Sequence, residues 1–279
     1  MHAAWPLPDQ SPLPLRFDAA LRTWLDRRTG TVAAKTLRAD QDLLRLVPQA
    51  FLARPLATIG PKDVTGILSR MRARGLSEPS VRRHRSSLSQ FFAWSVRSGL
   101  ITASPVEPLG GLLPPAPATV NPFTADELEA AWRQWCGHST VLADVMLILA
   151  RTGLRWSEAR ALTTADATPD SIVVGRRCSE GGTLRRLPQA QRRAVPVAPR
   201  IRPIIGRLIA GRDPAELLLT TGFGSQLHRT AVLRRLNWAE TGRGRRLHDL
   251  RHTAAHLWLA EGVSTRDVRA WMGPTRLAE

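Results

Sequence analysis

Two arginines stand in surroundings suited to phosphate chemistry. Arg155 lies in Thr152-Gly153-Leu154-Arg155-Trp156-Ser157-Glu158, and Arg251 in Leu247-His248-Asp249-Leu250-Arg251-His252. A phosphoryl group under attack needs planar, positive donors around its two non-bridging oxygens. Arginine supplies them, because its fork makes two parallel hydrogen bonds and keeps its charge. Arg155 follows a turn at Gly153 and sits near the start of a short helix, whose N-terminus adds a positive field. His248 and Arg251 are three residues apart, so both fall on one side of a helix. One offers charge, the other a proton or a hydrogen bond. Glu158, three residues after Arg155, reads as a support that holds an arginine or a helix in place. His248, His252 and His256 recur every four residues, as a metal stripe would. Zinc proteases of that spacing want a glutamate directly after the first histidine, and Asp249 stands there instead. No metal and no cofactor are expected.

The elements that must position these residues are legible in outline. Phe17, Leu21, Trp24 and Leu25 recur at helical spacing, and Leu37, Leu43, Leu44 and Val47 suggest a second helix. Pro61 opens a third with Val64, Ile67, Leu68 and Met71. Ser77, with Pro79 just inside, opens a fourth that runs to Gly99. Thr124 and Glu127 form a capping box before an apolar run. Val141 to Ala150 is a buried helix ended by Gly153. Ser171 to Val174 and Ala194 to Val197 read as short strands, with an arginine-rich ribbon between them. Helices return over Pro203 to Ala210, Thr230 to Ala239 and His248 to Glu261. Most of the nine tryptophans fall at core-like spacing, as Trp24, Trp94 and Trp258 do. Proline clusters divide the chain. The expected organisation is a flexible arm over 1–15, a helical domain over 16–104, a proline-rich linker over 105–122 and a second domain over 123–279.

The chain of 279 residues carries 40 basic and 23 acidic side chains, a net charge of +17. Such an excess favours a polyanionic partner, because each neutralised phosphate releases condensed counterions. Lys35 and Lys62 are the only lysines. Both halves are basic, as two lobes gripping one duplex would be. Hydrophobic content of 43% argues against disorder throughout. The sequence shows neither a membrane span nor a secretory signal, and two cysteines are too few for a disulfide framework. A cytoplasmic location follows, nucleoid-associated when DNA is bound.

The order of these features resembles the tyrosine recombinase, or phage integrase, family over nearly the whole chain. The second half runs from a capped helix through Gly153-Leu154-Arg155-x-x-Glu158 and two short strands to His248-x-x-Arg251-His252. Arg251-His252-Thr253-Ala254-Ala255-His256-Leu257 with Glu261-Gly262-Val263 resembles the family's second arginine box. Ser80-Val81-Arg82-Arg83 and Phe91-Phe92-Ala93-Trp94 are similar to its core-binding domain. The resemblance implies a mostly α fold with a small β-sheet: an N-terminal helical, SAM-like core-binding domain joined to an α+β integrase-type catalytic domain. It implies a C-shaped clamp on double-stranded DNA that cuts one strand at a time through a tyrosine phosphodiester. Neither a metal nor a high-energy cofactor takes part. Arg155, His248 and Arg251 would bind and polarise the scissile phosphate, and His252 would be a structural neighbour. Arg82, Arg83, Arg85, Arg192 and Arg193 would contact DNA.

The pattern also departs from the family. The sequence contains no tyrosine, so no nucleophile is assigned. The family's ribbon lysine has no counterpart, and Arg185 or Arg186 stands near its place. Arginine keeps positive charge there but is a poor proton donor. Gly273-Pro274 occupies the place of a Gly-His pair. The expectation is therefore a site-specific recombinase or integrase lacking its terminal nucleophile segment and inactive as given. The alternative is a non-catalytic DNA-binding protein that occupies recombination sites or regulates an active relative. A helix-turn-helix regulator is a weaker third reading, since it needs neither arginine motif. Expected partners are duplex DNA and other recombinase protomers, with no membrane and no small-molecule substrate.

Overall fold

A computed structural model of the protein describes residues 14–107 and 120–274. Almost all of the proline-rich arm and most of the linker expected from sequence lie outside the described residues. The chain divides into two compact units, with the division falling inside 108–119.

The first unit is helical. Its elements are α1 (Phe17–Arg28), α2 (Ala34–Gln41), α3 (Leu43–Leu46), α4 (Gln49–Leu52), α5 (Pro61–Ala73) and α6 (Glu78–Arg97). The apolar stripe of α1 meets those of α5 and α6 in one core: Phe17, Leu21 and Trp24 against Ile67, Met71, Leu88, Phe91 and Phe92. Phe17 and Phe91 meet edge to face at 5.2 Å between ring centres, the offset that aromatic quadrupoles favour. The helix expected around Leu37 to Val47 is two helices, α2 and α3, with the break at Asp42. Behind the break Asp40 is buried. It accepts from Arg28 Nε at 2.9 Å and from the Ser87 hydroxyl, and so ties α1, α2 and α6 together. Asp40→Asn is expected to destabilise this unit by roughly 1–3 kcal/mol, because hydrogen bonds to a charged, buried acceptor exceed neutral ones. Urea unfolding of the full chain measures it, and a loss below about 0.5 kcal/mol contradicts this role for Asp40.

The second unit is built around α8 (Thr140–Thr152). This helix is apolar almost all round and buried from Leu142 to Ala150, so it needs a neighbour on every side. It packs against α7 (Ala125–Cys136) and α13 (Asp249–Ala260). The expected capping box starts α7: the Thr124 hydroxyl accepts from Glu127 N at 3.2 Å, and Glu127 accepts from Thr124 N at 2.9 Å. Gly153 ends α8 in the left-handed region, at φ +61°. The short helix α9 (Trp156–Ala159) follows. Two antiparallel pairs supply the β structure. Strands β1 (Ser171–Val174) and β4 (Arg193–Pro196) pair with Ile172 opposite Val195. Strands β2 (Arg176–Cys178) and β3 (Leu184–Arg186) form a separate ribbon with Arg177 opposite Arg185. Helices α10 (Arg202–Ile209), α11 (Arg229–Arg235), α12 (Trp238–Thr241) and α14 (Thr265–Met272) complete the unit. The helix expected over Thr230 to Ala239 breaks at Asn237, which takes a left-handed conformation at φ +48°. Asparagine tolerates that region better than most residues. No helix among the described residues is long and apolar enough to cross a membrane.

Candidate phosphate-binding site

Arg155 and Arg251 come from segments almost a hundred residues apart, and the second unit brings them to one place. The packing of α13 on α8 sets the distance. Because Gly153 turns the chain at the end of α8, its carbonyl faces α13 and accepts from Arg251 Nη1. Arg251 Nη2 donates to the Met272 carbonyl at the end of α14. Arg251 is 2% exposed. Burial, and then the charge of Arg155, push its pKa down to about 9, so it carries its charge at neutral pH.

Arg155 is the residue before α9, and its position is fixed by Glu158. The Glu158 carboxylate accepts from Arg155 N and from Arg155 Nη1, each at 2.8 Å. Arg155 Nη2 donates to the Pro274 carbonyl at 2.7 Å. Glu158 is itself buried. Burial works against its charge, but hydrogen bonds and charge from Arg193, then from Arg155, outweigh it and hold its pKa below the ordinary carboxylate range. It is an ionised support rather than a proton carrier.

His248 precedes α13 and keeps contact with solvent. It lines a small pocket of about 120 Å³ together with Arg251, Trp156 and Arg229. Partial burial, then His252 and Arg251, hold its pKa below the usual histidine value. The ring is therefore neutral at pH 7 and offers one donor and one acceptor. The His252 ring stands edge-on to it at 5.2 Å. Asp249 is buried and accepts from Arg246 N at 2.8 Å and from Arg246 Nη2 at 2.9 Å. Among the described residues no group of histidines, cysteines and carboxylates is placed to hold a metal.

Of the other arginines singled out from sequence, Arg185 and Arg186 are exposed on β3. Arg192 is exposed and reaches the Leu187 carbonyl at 3.3 Å. Arg82, Arg83 and Arg85 lie along the first half of α6; Arg83 is exposed, and the other two are half-buried. Arg193 is placed differently from a DNA contact. Its side chain is only 6% exposed. Nη1 and Nη2 grip the two Glu158 oxygens at 3.1 and 2.8 Å, and Nε donates to the Trp271 carbonyl at 2.6 Å. The signal for this was strand alternation: Arg193 shares the face of buried Val195, whereas Arg192 precedes the strand. Sequence reasoning missed Arg160 altogether. It is 1% exposed and bonds the carbonyls of Leu227, at 2.6 Å, and Ser179, so it anchors the β2–β3 ribbon. Nothing in the sequence separates it from the many surface arginines.

The comparisons agree with this architecture. A model of the phage integrase central domain matches residues 17–112, and one of the phage integrase family matches 122–278. The tyrosine recombinase XerC of Chromobacterium violaceum is 30% identical, over 94% of this chain and 88% of its own length. The integrase of Mycobacterium phage D29 is 26% identical, over 91% of this chain and 70% of its own. Among solved structures, the Tn1549 transposon integrase in complex with a circular intermediate DNA superposes with a TM-score of 0.77 at 20% identity, over 94% of this chain and 92% of that one. A lambda integrase tetramer bound to a Holliday junction gives 0.74 at 16% identity, over 97% and 81%. At such identities the structures speak for the fold, which is that of core-binding and catalytic integrase domains. With the family's own model matched across the second unit and the XerC likeness running through both, the chain belongs to the phage integrase family of tyrosine recombinases.

Proposed function

We propose that this protein binds duplex DNA in site-specific recombination or integration, and that Arg155, Arg251 and His248 receive one backbone phosphate. The observation that carries this reading is the convergence of Arg155 and Arg251 beside the His248 pocket, with Glu158 fixing the first of them. Two guanidinium groups and a neutral imidazole suit a phosphodiester: charge on two sides, one hydrogen bond on a third. The arginines of α6 and of the ribbon supply further contacts, and the protein works in the cytoplasm, on the nucleoid. Relatives crystallised as dimers and tetramers on DNA make other recombinase protomers the natural second partner.

The 279 residues contain no tyrosine. Cleavage through a phosphotyrosine therefore needs a tyrosine from outside them, and the arginine-only ribbon is a weak proton source for a leaving hydroxyl. These residues are read as a binding and occupying protein that forms no covalent link to DNA unaided. An active relative supplying the tyrosine in trans is the second reading.

The test is a nicked suicide duplex, analysed on native and denaturing gels. Binding is expected to weaken steeply with salt, roughly 10³-fold or more between about 50 and 200 mM for six or more phosphate contacts. No band is expected to survive denaturant. A denaturant-resistant complex from this chain alone contradicts the non-covalent reading. One that appears only when an active relative is added supports supply in trans. Salt-insensitive or absent binding refutes the DNA reading altogether.

A further inference from the structure

Arg193 is too enclosed to touch DNA, yet it joins three elements at the site. It belongs to β4, grips α9 through both oxygens of Glu158, and holds the end of α14 through the Trp271 carbonyl. The chain is shaped around it. Gly273 turns away from α14 at φ +67°, and a Cβ there would stand 3.1 Å from Arg193 Cδ. The carboxylate that Arg193 occupies is the one that Arg155 uses. One negative charge is thus divided between two guanidinium groups, and the three side chains together are singly positive. Without Arg193 the whole of that negative charge would fall on Arg155, leaving a neutral pair where a phosphate should bind.

We propose that Arg193 is a positioning residue for the recombination site: by taking up the charge of Glu158, it keeps Arg155 electropositive toward a DNA phosphate. The inference rests on the reading of Arg155 as a phosphate ligand. The charged groups facing the Glu158 carboxylate are Arg155 just before its own helix, Arg193 from β4 and Arg251 from α13. The end of α14 presents carbonyl oxygens to these arginines. On β2, Arg176 turns to Asp166 and Thr163 instead.

The experiment is equilibrium binding of the full chain to a fluorescent duplex over a range of salt and pH, with thermal melts as a check on folding. Arg193→Met should lower the slope of log affinity against log salt by about one, equivalent to about eightfold weaker binding at about 0.1 M salt. Arg193→Lys keeps the charge and loses the fork, and should retain the wild-type slope. In an Arg193→Met, Glu158→Gln double variant the slope should return, since no carboxylate is left to neutralise Arg155. The Arg193→Met deficit should also shrink as pH falls, because Glu158, buried with one fewer counter-charge, takes up a proton more readily than in the wild type.

A deficit that is the same at every pH and persists in the double variant makes Arg193 a plain strut and overturns the proposal. So does a wild-type slope for Arg193→Met. If Arg193→Met does not melt cooperatively, Arg193→Lys decides: a slope lowered by about one refutes the charge argument, and a wild-type slope supports it. Failure of the wild-type chain to bind DNA is a different result. It removes the phosphate reading, and this inference with it.

Discussion

Glu158→Ala is expected to destabilise the second unit by about 3–5 kcal/mol at neutral pH, since removing one partner of a buried ionic group strands the others. The carboxylate is 2% exposed and serves both Arg155 and Arg193. Without it Arg155, Arg193 and the buried Arg251 stand together with no carboxylate to offset their charge. The change corresponds to a fall in melting temperature of roughly 6–20 °C for a unit of this size. The pH dependence follows from the direction of the Glu158 shift. Its folded pKa lies below the ordinary value of 4.5, so its stabilisation is complete above that value and disappears as pH falls through the folded pKa. Wild type and variant should therefore converge in acid. Urea unfolding at about pH 7 and at steps descending below 4.5 follows both quantities. A deficit under about 1 kcal/mol at neutral pH, or one that is constant with pH, removes Glu158 from the centre of the cluster.

Gly153→Ala is the second large effect expected. Two costs coincide at this position. The backbone is left-handed at φ +61°, and the added Cβ would lie 3.0 Å from Met272 Sδ, 3.2 Å from the Trp258 ring and 3.3 Å from Ala254 Cβ. A side chain in the left-handed region costs about 1–2 kcal/mol, and overpacking adds roughly 1–3 kcal/mol. The sum is about 2–5 kcal/mol. Gly182 is a built-in control, because its φ is +79° with nothing within 4 Å of a Cβ. Gly182→Ala should therefore show the conformational cost alone, about 1–2 kcal/mol. Equal losses at the two glycines would mean that the contact with α13 and α14 adds nothing. Since the Gly153 carbonyl accepts from Arg251, Gly153→Ala should also weaken DNA binding.

What could be read in the sequence divides along physical lines. Local signals carried the helices: Thr124 with Glu127 at the start of α7, Pro61 at the start of α5 and Gly153 at the end of α8 are side-chain or backbone constraints that act within a turn. The breaks at Asp42 and Asn237 were missed because both sit in apolar patterns that continue across them. The pairing of Arg155 with Arg251 was legible only as a likeness between motifs, since nothing local brings α8 and α13 together. Arg193 was misplaced for a related reason. Adjacent Arg192 and Arg193 look alike, and the alternation of β4, which puts Arg193 on the face of buried Val195 and opposite Val174, decides which one turns inward. The carbonyls of Trp271, Met272 and Pro274 carry no side-chain signature at all, so their part in the cluster could not be read in advance.

Like charges face one another along the β2–β3 ribbon. Its pairing sets Arg177 opposite Arg185 and Arg176 opposite Arg186, and among the described residues only Arg176 of these four forms an ion pair, with Asp166. Directly opposed like charges weaken an antiparallel pair, so the hairpin is strained by its own electrostatics when no polyanion is present. Its amides should be among the earliest in the second unit to exchange with solvent, and they should slow when a nucleic acid is added. On the proposed reading a bound phosphate backbone would screen these guanidinium groups from one another, and part of the binding energy would come from the relief of that repulsion.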